Sequence, residues 1–187
     1  MGIKDFNKIL KNNSSGAIQK IPVSSLKGYR IAIDGPLWVH SNLAMCQKDM
    51  IMKMGDPLLS LDRQMLLYKL QQSILRFIIS WCYKGVTTVW VWDGEPLPEK
   101  ILFAKKKRND ARENIKNNIA ECRVKLENCH ILARNPADIA RYKQLLCQEV
   151  SISKEEMLHI SSFIKKLGFP NLTAENDSEK LCASLNK

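Results

Sequence analysis

The chain lacks the sequence features of a secreted, zinc-finger or membrane-spanning protein. None of its six cysteines is paired as C-x-x-C, so a zinc site is not indicated, and we expect reduced, intracellular core cysteines. The amino terminus has no secretory apolar segment, and Phe6 stands where a myristoylation pattern requires Ser or Thr. Arg76, Lys84 and Gly85 interrupt the apolar run from Ile74 to Trp92, so this run does not predict a membrane span.

Acidic and aromatic residues are also scarce. The 19 Asp and Glu residues are outnumbered by 29 Lys and Arg residues, which gives a formal net charge of +10. This balance favours a polyanionic partner, usually nucleic acid, with an acidic membrane surface as the alternative. Aromatic residues make up only 7% of the chain, but hydrophobic residues make up 45% of its 187 residues. That is enough for the core of one domain, or of one domain with a small lobe.

Apolar runs, helical periodicity and capping residues predict an α/β fold with a parallel sheet flanked by helices. Strands are predicted at Tyr29–Asp34 and Val86–Trp92, which form a βαβ unit, with a third short strand after Phe169. Helices are predicted over Met1–Leu10, after Pro36, and from an Asp56 N-cap to about Tyr83. Glu99 to about Cys129 is predicted as one long polar helix or a helical pair, and after a break at Asn135-Pro136 another helix extends to about Val150. Further helices are predicted from a Ser153/Glu156 capping box to Gly168 and from Asp177 onward.

Carboxylates follow each predicted strand. Asp34 and Asp93 end the first two strands, and Asp177 and Glu179 follow the third. Because the carboxyl ends of parallel strands meet at one edge of a sheet, we expect all four side chains to line that edge. Clustered carboxylates repel one another unless a cation neutralises them, and oxygen ligands of this kind suit Mg²⁺ or Mn²⁺. The alternatives are turn aspartates at the first two positions and helix N-terminal charges at the other two.

A basic segment follows Asp93. From Glu99 to Lys125 there are nine Lys and Arg residues against four Asp and Glu residues. Lys100 and Lys107 are seven residues apart and therefore share one face of a helix, where a cation could hold a phosphate against a metal. Arg108 is a bidentate alternative. A solvated helix face is the other interpretation of the whole segment.

Four stretches of this chain resemble the flap endonuclease family of 5′ nucleases, which includes exonuclease-1-like and xeroderma pigmentosum G-type enzymes. The likeness covers essentially the whole chain. The four stretches read MGIKDFNKIL, GYRIAIDGPLWVH, VWVWDGEPLPEK with its D-G-x-x-P-x-K pattern, and LGFPNLTAENDSEKLCASL with two acidic residues one position apart.

The resemblance implies a PIN-like nuclease core and a divalent-metal-dependent phosphodiesterase acting on branched or 5′-ended DNA. Two Mg²⁺ or Mn²⁺ ions about 4 Å apart are expected in a complete family member, where they would activate water and stabilise the leaving oxygen. The metal ligands implied by the resemblance, direct or through water, are Asp34, Asp93, Asp177 and Glu179.

The resemblance also implies roles for basic and amino-terminal residues. Lys100 would contact the scissile phosphate, and Lys107 stands where many members have an active-site Arg, with Arg108 next to it. Gly2 would lie near the metals once Met1 is removed. The remaining expected DNA contacts are His40, which stands where members have a stacking Tyr and is otherwise an ordinary helix residue, and Lys105, Lys106 and Arg112, which would contact backbone phosphates.

The family pattern continues beyond Lys187 with another acidic strand and a duplex-gripping element. We therefore expect residues 1–187 to form an amino-terminal nuclease domain with a helical arch at about 99–150, incomplete at its carboxyl end and possessing no carboxyl-terminal nuclease region. The chain would be either half of a nuclease or a short, non-catalytic DNA-binding relative. The expected location is intracellular: the nucleus, or a site of viral DNA replication and repair.

Overall fold

In the part of the chain that the structure describes between residues 20 and 185, a three-stranded parallel sheet is flanked by six α-helices. The computed structural model describes Lys8, residues 20–95 and residues 98–185, with side chains described for these residues except 98–108. The elements are β1 (Arg30–Asp34), α1 (Gly35–Lys53), α2 (Arg63–Tyr83), β2 (Thr87–Trp92), α3 (Pro98–Glu127), α4 (Pro136–Gln148), α5 (Lys154–Lys166), β3 (Asn171–Thr173) and α6 (Ser178–Leu185), with 3₁₀ turns at Val23–Leu26 and Ile131–Ala133.

The sheet has the order β1-β2-β3, and both strand pairs are parallel as predicted. Asp34 at the end of β1 is level with Val91, and Thr173 at the end of β3 is level with Trp92. The three strands therefore end close to one another at one edge of the sheet, which we call the carboxyl edge.

The main core lies between one face of the sheet and three helices, α1, α2 and α5. The buried residues of α2 recur at helical spacing and are Leu66, Leu70, Ile74 and Ile78. The fully buried core members contributed by the other elements are Val39, Leu43, Trp90, Ile160 and Ile164.

An aromatic cluster fixes how α1 and α2 pack on the central strand. Trp90 of β2 meets Trp38 edge-on with ring centroids 5.4 Å apart, and Phe77 lies 6.0 Å from Trp90. The buried indole N–H of Trp90 donates to Thr88 Oγ1 at 3.2 Å, so this large side chain is buried without an unsatisfied donor.

Two helix boundaries show how capping signals succeed and fail. The predicted capping box of α5 is present: Glu156 N donates to Ser153 Oγ at 3.1 Å, and Ser153 N donates to Glu156 Oε2 at 2.8 Å. The predicted start of α2 at Asp56 is wrong, because the helix begins at Arg63 with Asp62 as its N-cap. Asp56 Oδ1 instead accepts from Leu58 N and from the largely buried Arg134, both at 3.1 Å.

The cysteines are free, but their predicted place in the core is wrong. Cys82 and Cys129 are exposed, and the other four are only partly buried. Among the described helices, none is both long and apolar enough to cross a membrane. Of the predicted helix Met1–Leu10, only the helical Lys8 is among the described residues.

Candidate active site

Asp34 ends β1, and Asp93 directly follows the neighbouring strand β2, so both lie at the carboxyl edge. Asp34 is level with Val91, and Asp93 comes two residues after Val91, just beyond the end of β2. If strand alternation continues to Asp93, both carboxylates lie on the same face of the sheet. The spacing of about 4.8 Å between strands and the rise of about 3.3 Å per residue place the two Cα atoms roughly 8 Å apart. The sequence-based prediction that these two residues share one edge of the sheet therefore agrees with the strand register.

Each of these two carboxylates is oriented by the start of a helix. Asp34 Oδ1 accepts a hydrogen bond from Leu37 N at 2.9 Å, which caps α1. Asp93 Oδ1 accepts from Ser178 N at 3.0 Å, at the first residue of α6. Among the hydrogen bonds between described residues, each of these two carboxylates accepts through its Oδ1 atom.

The Cys182 side chain lies within the electrostatic influence of both carboxylates. The pKa of its thiol is raised, first by burial and then by the negative charges of Asp34 and Asp93. Both carboxylates therefore act on one side chain of α6, which packs against β1 and β2. The sequence analysis missed Cys182, although its position three residues after Glu179 places both on neighbouring turns of one helix.

Asp177 and Glu179 flank Ser178 at the start of α6. Asp177 is half-buried and Glu179 is exposed. Within the described residues, however, no three His, Cys, Asp or Glu side chains converge as a metal site. Carboxylate oxygens are still suitable donors for Mg²⁺, which commonly binds one or two carboxylates and completes its shell with water and phosphate oxygens. The pair Asp34 and Asp93 fits that limited requirement.

A cleft of about 490 Å³ opens beside Asp93 at the carboxyl edge. Its walls come from the start of α1, the ends of β2 and β3, and the first turns of α5. Trp92 and Met157 contribute apolar surface, whereas His40, Asp93 and Lys154 contribute polar groups. The cleft therefore places an apolar wall next to a carboxylate and an ammonium group.

The first part of the chain matches a known protein family. The XPG N-terminal domain family matches residues 1–115, more than half of the chain. The chain belongs to this family.

Flap endonucleases are among the curated relatives of this XPG-family chain. It is 26% identical over 192 residues to flap endonuclease 1 of Cryptosporidium muris (strain RN66), with all of this chain and 36% of that protein covered. It is 28% identical to flap endonuclease 1-B of Physcomitrium patens, with all of this chain and 48% of that protein covered. The chain thus spans less than half the length of these relatives.

A solved structure supports the fold of this XPG-family chain. The catalytic core of Rad2 in complex with DNA substrate superposes with a TM-score of 0.54 at 15% identity, covering 97% of this chain and 42% of that one. The predicted fold, a PIN-like α/β nuclease core, is confirmed.

Other predicted site residues of this XPG-family chain are less well placed by the structure. Gly2 lies outside the described residues. For the basic residues in the first part of α3, the structure describes the helix but not the side chains. This second group comprises Lys100, Lys105, Lys106, Lys107 and Arg108. Their roles, and those of the four acidic residues as metal ligands, stay predictions.

Arg112 is the predicted DNA contact on α3 whose side chain is described. It is exposed and lines a pocket of about 170 Å³ together with Lys116, one helical turn away, and Ser151. Exposure is what a phosphate contact requires, and Lys116 adds a second cation that the sequence analysis had not singled out. The four-residue spacing of the two side chains was the signal that could have identified it.

Proposed function

We propose that this chain supplies the catalytic amino-terminal part of a divalent-metal-dependent, structure-specific 5′ nuclease that cleaves phosphodiester bonds in branched or 5′-ended DNA. The observation that carries the proposal is the placement of Asp34 and Asp93 at the ends of adjacent parallel strands, with Oδ1 of each fixed by a helix N-terminus. Family membership and the length-wide likeness to flap endonucleases support the same conclusion.

Asp34 and Asp93 would hold the cation, with Asp177 and Glu179 acting through water. A bound Mg²⁺ or Mn²⁺ supplies a water of lowered pKa and a positive charge at the phosphate. In this proposal the strand ends and helix starts hold the metal-binding carboxylates in position. Their side chains therefore need little rearrangement when a phosphate enters.

Basic residues on α3 would bind the substrate. Lys100 would offset charge on the scissile phosphate, and either Lys107 or Arg108 would provide a second cation. The helices α3 and α4 would form the arch over the 5′ strand, and a base beside the scissile bond would leave its stack to reach the carboxyl edge. The cleft beside Asp93 has room for such an unstacked nucleotide, with His40 at its wall.

The test is Mg²⁺-dependent cleavage of a 5′-flap DNA by the longest available form of the protein. We expect Asp93→Ala to abolish cleavage, because it removes a proposed metal ligand. The matched control is Asp49→Ala, which removes an exposed carboxylate that pairs with Lys53 on α1 and should leave the rate unchanged. Unaltered cleavage by the Asp93 variant would remove this residue from the active site.

A second candidate function is DNA binding without catalysis. It is favoured by one observation, that no three potential metal-ligating side chains converge within the described part of the chain. In that case the purified 187-residue protein would bind a flap and leave it intact at every Mg²⁺ or Mn²⁺ concentration. Catalytic turnover by this protein would rule the second candidate out.

A further inference from the structure

The loops after β2 and β3 are joined by backbone hydrogen bonds beyond the last strand residues. The second loop, residues 174–178, is called the capping turn here. Three bonds connect the loops: Ala174 N to Trp92 O at 2.9 Å, Gly94 N to Asn176 O at 2.7 Å, and Glu95 N to Glu175 O at 3.1 Å. These bonds fix the position of the capping turn relative to Asp93.

Gly94 permits this close approach. A Cβ atom added at Gly94 would overlap Ala174 O and would lie 2.5 Å from Glu175 O, both of which are main-chain atoms. Main-chain atoms cannot move aside as a flexible side chain can, so position 94 accepts only glycine if the capping turn stays in place.

The fourth bond between the two loops reaches the candidate site itself. Ser178 N donates to Asp93 Oδ1 at 3.0 Å across 85 residues of sequence. Ser178 is 2% exposed and Ala174 is 7% exposed, so the capping turn is anchored at both of its ends. Water therefore competes poorly for the Ser178 N–H, and the hydrogen bond holds one oxygen of an otherwise exposed carboxylate.

We infer that the capping turn is the positioning element for Asp93: the Ser178 N–H sets the orientation of its carboxylate, and Gly94 sets its distance from α6. This inference rests on the proposed metal role of Asp93. The hydrogen bond from Ser178 N to Asp93 can nevertheless be tested in metal-free protein. Ser178 is flanked by Asp177 and Glu179, so one short segment would orient one acidic residue and carry two others. Hydrogen-bonded partners of metal ligands commonly determine metal affinity in this way.

Two substitutions at Ser178 separate the N–H group from the side chain. Ser178→Pro removes the N–H at the first residue of α6, a position that favours proline because this N–H has no partner within the helix. Ser178→Ala keeps the N–H and removes the hydroxyl group. In Mn²⁺ titrations followed by electron paramagnetic resonance, we expect affinity to fall about 10- to 100-fold in Ser178→Pro and to change less than about 2-fold in Ser178→Ala. Equal Mn²⁺ affinity in the two variants would overturn the inference.

Amide hydrogen exchange in metal-free protein tests the positioning contact directly. Asn at position 93 can still accept from Ser178 N, whereas Ala cannot. We expect Asp93→Asn to retain the protection of the Ser178 amide and Asp93→Ala to lose at least about 10-fold of it, while the Val91 amide stays protected in both. Equal Ser178 protection in the two variants would also overturn the inference. Wild-type protein that binds no Mn²⁺ but shows the expected exchange pattern would refute the proposed metal site and leave the contact established.

Discussion

The carboxyl edge and the α3–α4 pair are built on opposite principles. At the carboxyl edge, strand ends and helix starts are joined by short backbone bonds, and helix N-termini fix Asp34 and Asp93. The α3 helix runs for 30 residues, and among its described side chains Leu126 is the buried hydrophobic one. It packs along α4, which is held to α1 by Gln47. The carboxyl edge is held by specific hydrogen bonds, whereas α3 is rich in basic residues and most of its described side chains are exposed.

This difference matches the different tolerances of metal binding and phosphate attraction. A catalytic constellation must be held within about 0.5 Å of its working geometry. Attraction between a cation and DNA phosphates extends over a Debye length of about 8 Å at physiological salt. We therefore expect substitutions at the carboxyl edge to act through geometry and substitutions on α3 to act through charge.

The largest effect should come from Gly94→Ala. Its Cβ would overlap main-chain oxygen atoms of the capping turn, and we expect the free energy of unfolding to fall by about 4 kcal/mol or more. Gly55→Ala is the matched control, since a Cβ there meets nothing within 4 Å, and it should change stability by less than about 1 kcal/mol. Urea denaturation measures both. Similar midpoints for the two variants would show that the carboxyl edge is less rigid than its hydrogen bonds indicate.

Leu126→Ala should have the next largest effect. It removes a 2%-exposed side chain near the end of α3. We expect the free energy of unfolding to fall by about 2–3 kcal/mol, because a site near the surface can partly collapse. Val124→Ala, at a position 55% exposed, should cost less than about 0.5 kcal/mol. Amide exchange would sharpen the comparison: α3 should lose protection while Val91 in the sheet keeps it. Equal loss in both would mean that the two regions unfold together.

Charge neutralisation on α3 should affect DNA binding and leave the fold intact. Replacing Lys105, Lys106 and Arg112 with Gln should flatten the slope of log affinity against log salt by about 2 to 3, since each phosphate contact contributes about 0.9. Between 50 and 200 mM salt this corresponds to roughly a 30-fold smaller loss of affinity. The control variant replaces three exposed basic residues close to the opposite edge of the sheet with Gln: Lys27, Arg30 and Lys84. An unaltered slope in the first variant would mean that its three side chains face away from DNA.

The smallest effect concerns the ion pair that holds the start of α5 against α2. Arg63 donates to both carboxylate oxygens of Glu156, at 2.7 and 2.6 Å, and this hydrogen bonding lowers the pKa of Glu156 despite partial burial. Because the folded-state pKa lies below the unfolded value, the stabilisation is present above about pH 4.3 and is lost as the pH falls through the folded-state pKa.

Glu156→Gln should therefore destabilise the protein by about 1 kcal/mol at pH 7, a modest value because the Arg63 side chain is 39% exposed. The difference from wild type should shrink as denaturation is repeated at decreasing pH below 4.3. A penalty of the same size at pH 7 and at pH 3 would show that the carboxylate charge contributes nothing.

The sequence predicted those features whose physical cause is local. The apolar run ending in Asp93 identified a buried parallel strand, and the Ser153/Glu156 spacing identified a capping box, because both depend on residues close together in the chain. Asp56 followed by Pro57 is also a local signal for the start of a helix, but no helix begins there. Asp56 instead accepts a hydrogen bond from Arg134, 78 residues away in the chain, which the local sequence could not reveal. The N-cap of α2 is then Asp62.

The contacts around Asp93 had no local signature at all. Gly94 follows an aspartate and was indistinguishable from an ordinary turn glycine, and the acceptor of the Ser178 N–H is 85 residues away. Cys182 likewise gained significance only when α6 packed against β1. The acidic residues of the candidate site were visible in the sequence, whereas the groups that orient them required the fold.

The Gln47 side chain has a consequence for how this protein could change in evolution. Its amide donates to Leu146 O at 2.9 Å and to Glu149 O at 3.1 Å, where the chain returns from α3 and α4 to the core. The other end of the segment that contains α3 and α4 is held at Glu95, whose N–H donates to Glu175 O. With both ends of this segment held, doubling the length of the flexible loop between α3 and α4 would cost only about 0.6 kcal/mol of closure entropy. Insertions and deletions in that loop could therefore change the α3–α4 pair while the sheet beneath it stays unchanged.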